Sequence, residues 1–149
     1  MTPHPQTGIK LILTRTFSAP RMDVFRAWTD PEEITKWFAP GPMETNEARV
    51  DLRVGGRYRI AMRDLAEGTS HVAFGVYREV TPPKRLVFTW SWEGEPNTGE
   101  MLVTIEFRDK GTQTELTLVH EFLPNEDSKN IHNEGWIACL DKLEHVINR

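Results

Sequence analysis

The chain has 149 residues, 38% of them hydrophobic and 27% charged, with a formal net charge of −4. That is the size and balance of one globular domain, able to bury roughly 68–70% of its unfolded surface. The acidic balance argues against a nucleic-acid binder, and no stretch approaches the ~20 apolar residues of a membrane helix.

A single cysteine, Cys139, rules out an internal disulfide and fits a reducing compartment, so a cytoplasmic location is expected. Residues 1–9 hold two prolines and no apolar run, and read as a flexible arm before one domain over residues 10–149. Residues 10–18 mix β-branched and aromatic side chains and predict a strand. Pro20 stops it and suits the first turn of a short helix that carries Val24, Phe25 and Trp28 on one side. Asp30, Pro31 and Glu33 predict a second helix start, with Asp30 as cap and Glu33 reaching back as in a capping box. That helix runs to about Trp37, before Pro40-Gly41-Pro42.

A long β region follows. Ala48, Val50 and Leu52 share a face opposite Arg49, Asp51 and Arg53, and Gly55-Gly56 predicts a hairpin turn. Tyr58, Ile60 and Met62 then alternate with arginines. Residues 70–80 are apolar on both faces, and Pro82-Pro83 turns the chain. Leu86, Phe88, Trp90 and Trp92 share the next inward face. Residues 94–99 are a loop, Met101 to Phe107 alternate, and Asp109-Lys110-Gly111 is a tight turn. Leu116, Leu118, His120 and Phe122 point one way on the last strand. The period then changes from two to 3.6, and a helix capped by Asn125 or Ser128 carries His132, Trp136, Cys139, Leu140, Leu143 and Ile147 on one face. The expected fold class is α+β: a curved antiparallel sheet wrapped around a long C-terminal helix, with two short helices after the first strand.

Phe17-Ser18-Ala19-Pro20, the run from Val24 to Pro31, and Trp37-Phe38-Ala39-Pro40 carry a resemblance to a known family. Gly55-Gly56, Tyr77 to Val80, Leu86 to Trp90, His120-Glu121 and Gly135-Trp136 extend it along nearly the whole chain after Lys10. The sequence resembles the heat-shock-protein-90 ATPase activator-like family, of the START-like (SRPBCC) helix-grip superfamily. The resemblance implies a cavity between sheet and long helix. It also implies kinship with antibiotic-sequestering proteins and co-chaperone domains. Co-chaperones of the family carry a further N-terminal domain where this sequence has a short arm, which sets the chain apart from them.

The candidate ligand-binding residues are Tyr58, Trp90, Trp92, Leu118, His120, His132, Trp136, Leu140 and Leu143. The aromatic ones offer flat apolar walls with polar tips, suited to a small hydrophobic or aromatic molecule. His120 is either a core histidine with a satisfied ring or a group that moves a proton, and is the one catalytic candidate. His132 sits one turn before Trp136, at the rim of the helix start. Gly135 reads as a point of close packing between helix and sheet. Arg49, Arg53, Arg57, Arg59 and Arg63 form a basic face expected to be solvated and paired with neighbouring carboxylates, with no interleaved aromatic.

No metal is expected, because the five histidines and Cys139 lack tetrahedral-site spacing. No cofactor is expected either, since there is no phosphate-cradling glycine loop or nucleophile elbow. The leading expectation is therefore a non-catalytic module that binds a small apolar or aromatic molecule, with neither nucleic acid nor membrane as partner. The alternatives are a cyclase- or hydrolase-like enzyme on a polyketide-like substrate, and a stress-related module that binds a protein partner. No pattern in the sequence sets an oligomeric state.

Overall fold

The computed structural model describes residues 8–95 and 99–147. Most of the arm read over residues 1–9, and the tip of the 94–99 loop, lie outside the described residues. Strand β1 (Lys10–Phe17) is followed by helices α1 (Arg21–Thr29) and α2 (Pro31–Ile34). Six further strands come next: β2 (Glu44–Val50), β3 (Arg57–Asp64), β4 (Thr69–Thr81), β5 (Arg85–Trp92), β6 (Met101–Lys110) and β7 (Gln113–Glu121). Helix α3 (Glu126–Ile147) ends the described chain.

The seven strands form one antiparallel sheet in the order β1-β7-β6-β5-β4-β3-β2. Strands β2 to β7 pair in sequence, and β1 closes onto β7 with Leu11 opposite His120. The core sits between the sheet's concave face and α3. It contains Ile60, Tyr77, Phe88, Ile105, Leu116 and Leu118 from the strands and Leu140 and Leu143 from the helix. Alternation explains this directly: β6 buries Met101, Val103, Ile105 and Phe107 and leaves the residues between them half-buried or exposed.

Local details depart from the simplest reading. Asp30 caps α2 by accepting from the Glu32 backbone N–H at 3.0 Å. The capping box is not completed, because the Asp30 N–H already donates to the Arg26 carbonyl that ends α1, and Glu33 turns to Lys36 instead. The connection at Gly55-Gly56 is longer than a two-residue hairpin turn, spanning residues 51–56 and docking on β4. Gly55 N–H donates to the Tyr77 carbonyl, and Tyr77 N–H donates to the Gly56 carbonyl. A side chain at Gly56 would overlap the Asp51 carbonyl, so glycine is required there. At the end of β7, Phe122 adopts φ of 64°, which ends the alternation and sends Leu123 rather than Phe122 into the core.

The arginine face lies outside the concave surface. Arg49 pairs with Glu47, Arg53 with Asp51, and Arg59 with both Glu47 and Glu93 at 2.8 Å. The expected pairing with neighbouring carboxylates is therefore present. An aromatic does interleave, however: β4 sets half-exposed Phe74 opposite Arg59.

Candidate functional site

The first half of helix α3 lines the candidate site. Asn125 caps the helix, accepting from the Ser128 backbone N–H at 2.8 Å. The first half of α3, the ends of β3 to β5 and the segment between α2 and β2 enclose a cavity of about 440 Å³. Trp90, Trp92 and Trp136 form one wall, and Phe38, Pro40, Met43 and Met62 form another. Asn125, Ser128, Ile131 and His132 edge it from the helix, and Glu95 and Asp127 are its acidic lining residues.

The aromatic wall is a continuous packed array. Phe38 stacks on Trp90 with centroids 5.8 Å apart, Trp90 meets Trp92 edge-on at 5.4 Å, and Trp90 meets Trp136 at 5.3 Å. The α2–β2 segment is held in place from α3. The Lys142 ammonium donates to the carbonyls of Ala39, at 2.5 Å, and Met43, at 3.1 Å, and the Cys139 thiol donates to that of Phe38. Burial pushes the Cys139 thiol up to about 12, so it remains a neutral apolar group in the wall.

Two histidines lie in layers beneath this wall. The Trp136 indole N–H donates to Nδ1 of fully buried His120 at 3.0 Å. Nε2 of His120 therefore carries the proton, and it faces the Met101 sulfur at 3.3 Å. His132 is closer to the opening. Its Nδ1–H donates to the Ser128 carbonyl at 2.8 Å, and its Nε2 accepts from the Trp92 indole N–H at 3.1 Å. The two imidazoles are 4.8 Å apart. Burial, and secondarily His132, holds His120 well below the usual histidine value. Burial also lowers His132, against opposing effects of the Ser128 carbonyl and the Glu95 carboxylate.

Of the residues singled out from the sequence, Trp90, Trp92, His132 and Trp136 come together around the cavity. His120 lies one layer below them. Leu118, Leu140 and Leu143 lie in the core, as does Tyr58, whose hydroxyl donates to the Thr89 carbonyl at 2.6 Å. Gly135 is not a point of close packing. A Cβ added there meets nothing within 4 Å, and the residue lines the cavity. Phe38, Met43, Met62, His71, Glu95 and Ile131 also line it. Met62 shares its strand face with Tyr58 and Ile60, a signal already present in the alternation. His71 lies near the start of β4, opposite Met62, in a stretch whose pattern is apolar on both faces, and the others come from loops and a helix edge. Among the described residues, no group of three His, Cys, Asp or Glu side chains is placed to hold a metal ion.

Residues 18–148 match the family model described as activator of Hsp90 ATPase homolog 1-like protein. The chain belongs to this family. It is 22% identical over 127 residues to the human activator of 90 kDa heat shock protein ATPase homolog 1, covering 85% of this chain and 33% of that protein. The chain thus spans a third of the length of this curated relative. A crystal structure of a Chromobacterium violaceum protein superposes with a TM-score of 0.86 at 28% identity, covering 95% of this chain and 99% of that one. An AHSA1 protein from Silicibacter pomeroyi gives 0.81 at 25% identity, over 92% of this chain and 96% of that one. Family membership agrees with the helix-grip architecture seen here: a curved antiparallel sheet closed by a long C-terminal helix.

Proposed function

We propose that this member of the family is a binding module for a small apolar or aromatic molecule, held in the cavity under the first half of α3. One observation carries the reading: a cavity of about 440 Å³ walled by three indoles, into which the missing side chain of Gly135 leaves open space. Ligand sites typically measure about 300–1,000 Å³ and combine apolar walls with a few polar groups. His71, Asn125 and Ser128 are polar residues in its lining. Residues 10–149 act as one such unit in this reading, with residues 1–9 as an arm and a cytoplasmic location.

Catalysis is the weaker reading. His120 has both ring nitrogens engaged by Trp136 and Met101, and both ring nitrogens of His132 are engaged by Ser128 and Trp92. A co-chaperone-like interaction module is supported by likeness to the human activator, of which this chain spans a third.

The test is a thermal-shift screen of apolar and aromatic compounds against the wild type and Gly135→Leu in parallel. A ligand specific to the folded state stabilises it by about 2.7 kcal/mol at a hundredfold excess over Kd. Stabilisation of the wild type with none in Gly135→Leu is the expected result. Equal stabilisation of both proteins places the ligand elsewhere.

A further inference from the structure

The indoles that wall this cavity do not commit their N–H groups equally. The Trp92 N–H donates to Nε2 of His132 at 3.1 Å, and the Trp136 N–H donates to Nδ1 of His120 at 3.0 Å. The Trp90 N–H has no acceptor among the described residues. Trp90 is 4% exposed and its indole nitrogen is buried, so solvent does not supply the missing acceptor. Buried donors are nearly always paired, because an unpaired one forfeits its hydrogen bond to water with nothing in exchange. The Cys139 thiol, also buried in the lining, donates to the Phe38 carbonyl and stays neutral. Charge belongs to the exposed rim. Glu95, Asp127 and His71 are exposed, Nε2 of His71 meets the Thr69 hydroxyl at 3.3 Å, and neither lysine nor arginine lines the cavity. His132 has both ring nitrogens bonded, and burial holds it below the usual histidine value against the opposing pull of the Glu95 carboxylate, so it stands there as a neutral ring. Among the described residues, the buried part of the lining therefore presents one unspent donor and no charge.

We propose that the molecule bound here is an uncharged, flat aromatic compound that carries a carbonyl oxygen, with its rings against Trp90, Trp92 and Trp136 and its oxygen accepting from the Trp90 indole N–H. The inference rests on the binding reading above and specifies its ligand class. A carbonyl brings lone pairs and no donor, so it satisfies Trp90 without adding a group that needs a partner in turn. A hydroxyl or an amine would add one. A carboxylate would also accept, but its charge would lie among apolar walls with no cation in the buried lining. The covered edge of Trp90 is reached as Met43 and Met62, unbranched side chains of the same lining, shift around the entering ligand.

The test compares 2-acetylnaphthalene with 2-isopropenylnaphthalene, in which a methylene replaces the carbonyl oxygen, and with 2-naphthoate. Binding is followed at neutral pH through the indole N–H signals of 15N-labelled wild type and Gly135→Leu, with the Trp90 signal assigned from the spectrum of Trp90→Phe. The ketone is expected to bind about tenfold more tightly than the alkene, the gain from pairing a buried donor. The carboxylate is expected to bind most weakly. The ketone moves the Trp90 indole proton downfield of its position in the alkene complex, where the rings are the same and the acceptor is missing. If the alkene or the carboxylate binds as tightly as the ketone, or the ketone and alkene complexes place the Trp90 proton alike, and Gly135→Leu blocks binding, the cavity binds ligand and the carbonyl inference is overturned. If no probe binds the wild type, or Gly135→Leu leaves binding intact, the cavity reading itself fails and takes this inference with it.

Discussion

The indole N–H of Trp136 points at Nδ1 of His120 across 3.0 Å, tying α3 to β7 through a buried hydrogen bond and fixing which nitrogen of the imidazole holds the proton. The neutral ring is the form this bond requires, and burial reinforces it.

A pH dependence of stability follows from that arrangement. The folded-state value of His120 lies below the unfolded one, so the unfolded chain takes up the proton first as pH falls. Stability contributed by the neutral ring is complete above the ordinary histidine value of about 6.5 and is lost progressively below it, toward the lowered folded value. Urea midpoints measured downward from neutral pH should fall below about pH 6.5 in the wild type. His120→Gln, which keeps an acceptor for Trp136, should flatten that slope. Identical slopes in the two proteins would assign the acid sensitivity to other groups.

Gly135→Ala should stabilise the protein. The position is helical and its added Cβ meets nothing within 4 Å, so the substitution gains helix propensity without a clash. The gain is about 0.8–1 kcal/mol, or roughly 2–4 °C in Tm for a chain of this size. Scanning calorimetry decides it, and a lower Tm would show that the sheet presses on the helix there after all.

The same substitution at Gly75 should have the opposite outcome. A Cβ at Gly75 would overlap the backbone carbonyl of Thr89 on β5, next to the bulge where β4 shifts register. Backbone cannot yield as a side-chain tip can, so Gly75→Ala should cost about 3 kcal/mol or more. Denaturant unfolding of the purified variant, or its failure to accumulate as folded protein, reports this. A loss below 1 kcal/mol, on the order of an ordinary surface change, would contradict it.

Lys142→Met should loosen one wall of the cavity. The ammonium bridges the carbonyls of Ala39 and Met43, flanking the Pro40 that lines the site. Hydrogen bonds from a charged donor are worth about 1.5–3 kcal/mol, and Met keeps the apolar stem while removing them. The expected result is a lower unfolding midpoint with faster amide exchange at Gly41 and Met43, which alternate with Pro40 and Pro42. An unchanged exchange rate would mean that the segment is held by packing alone.

The fold was legible because its signals are periodic. Two-residue alternation set which faces of β6 and β7 are buried, whereas β5 buries Val87 and Thr89 on its other face as well as Leu86, Phe88 and Trp90, and 3.6-residue spacing placed Trp136, Cys139, Leu140 and Leu143 inward on α3. Errors arose where one backbone bond decides the outcome. Alternation alone extends β7 through Phe122, whereas the left-handed conformation there buries Leu123 instead. The Glu33 capping box failed because α1 and α2 share Asp30 as end and start, leaving no free N–H. The site was half-legible. Trp90, Trp92, His132 and Trp136 lie on periodic faces, but Phe38, Met43 and Glu95 reach the cavity from irregular segments positioned by tertiary contacts such as Lys142. At Gly135 the sequence pattern is silent on direction: a glycine in a helix signals missing volume, and only the packing around it shows whether that volume is filled by the sheet or, as here, left open.

The most direct test of the cavity follows the indole N–H signals of the five tryptophans in a 15N-labelled sample during titration with a small aromatic probe, 2-methylnaphthalene. Trp90, Trp92 and Trp136 line the cavity, whereas the Trp37 indole N–H is bonded to the Ala27 carbonyl away from it. The account predicts saturable shifts of the Trp90, Trp92 and Trp136 signals while Trp37 stays fixed. Unmoved signals for the three lining indoles at saturating probe, or an equal shift of Trp37, would contradict it.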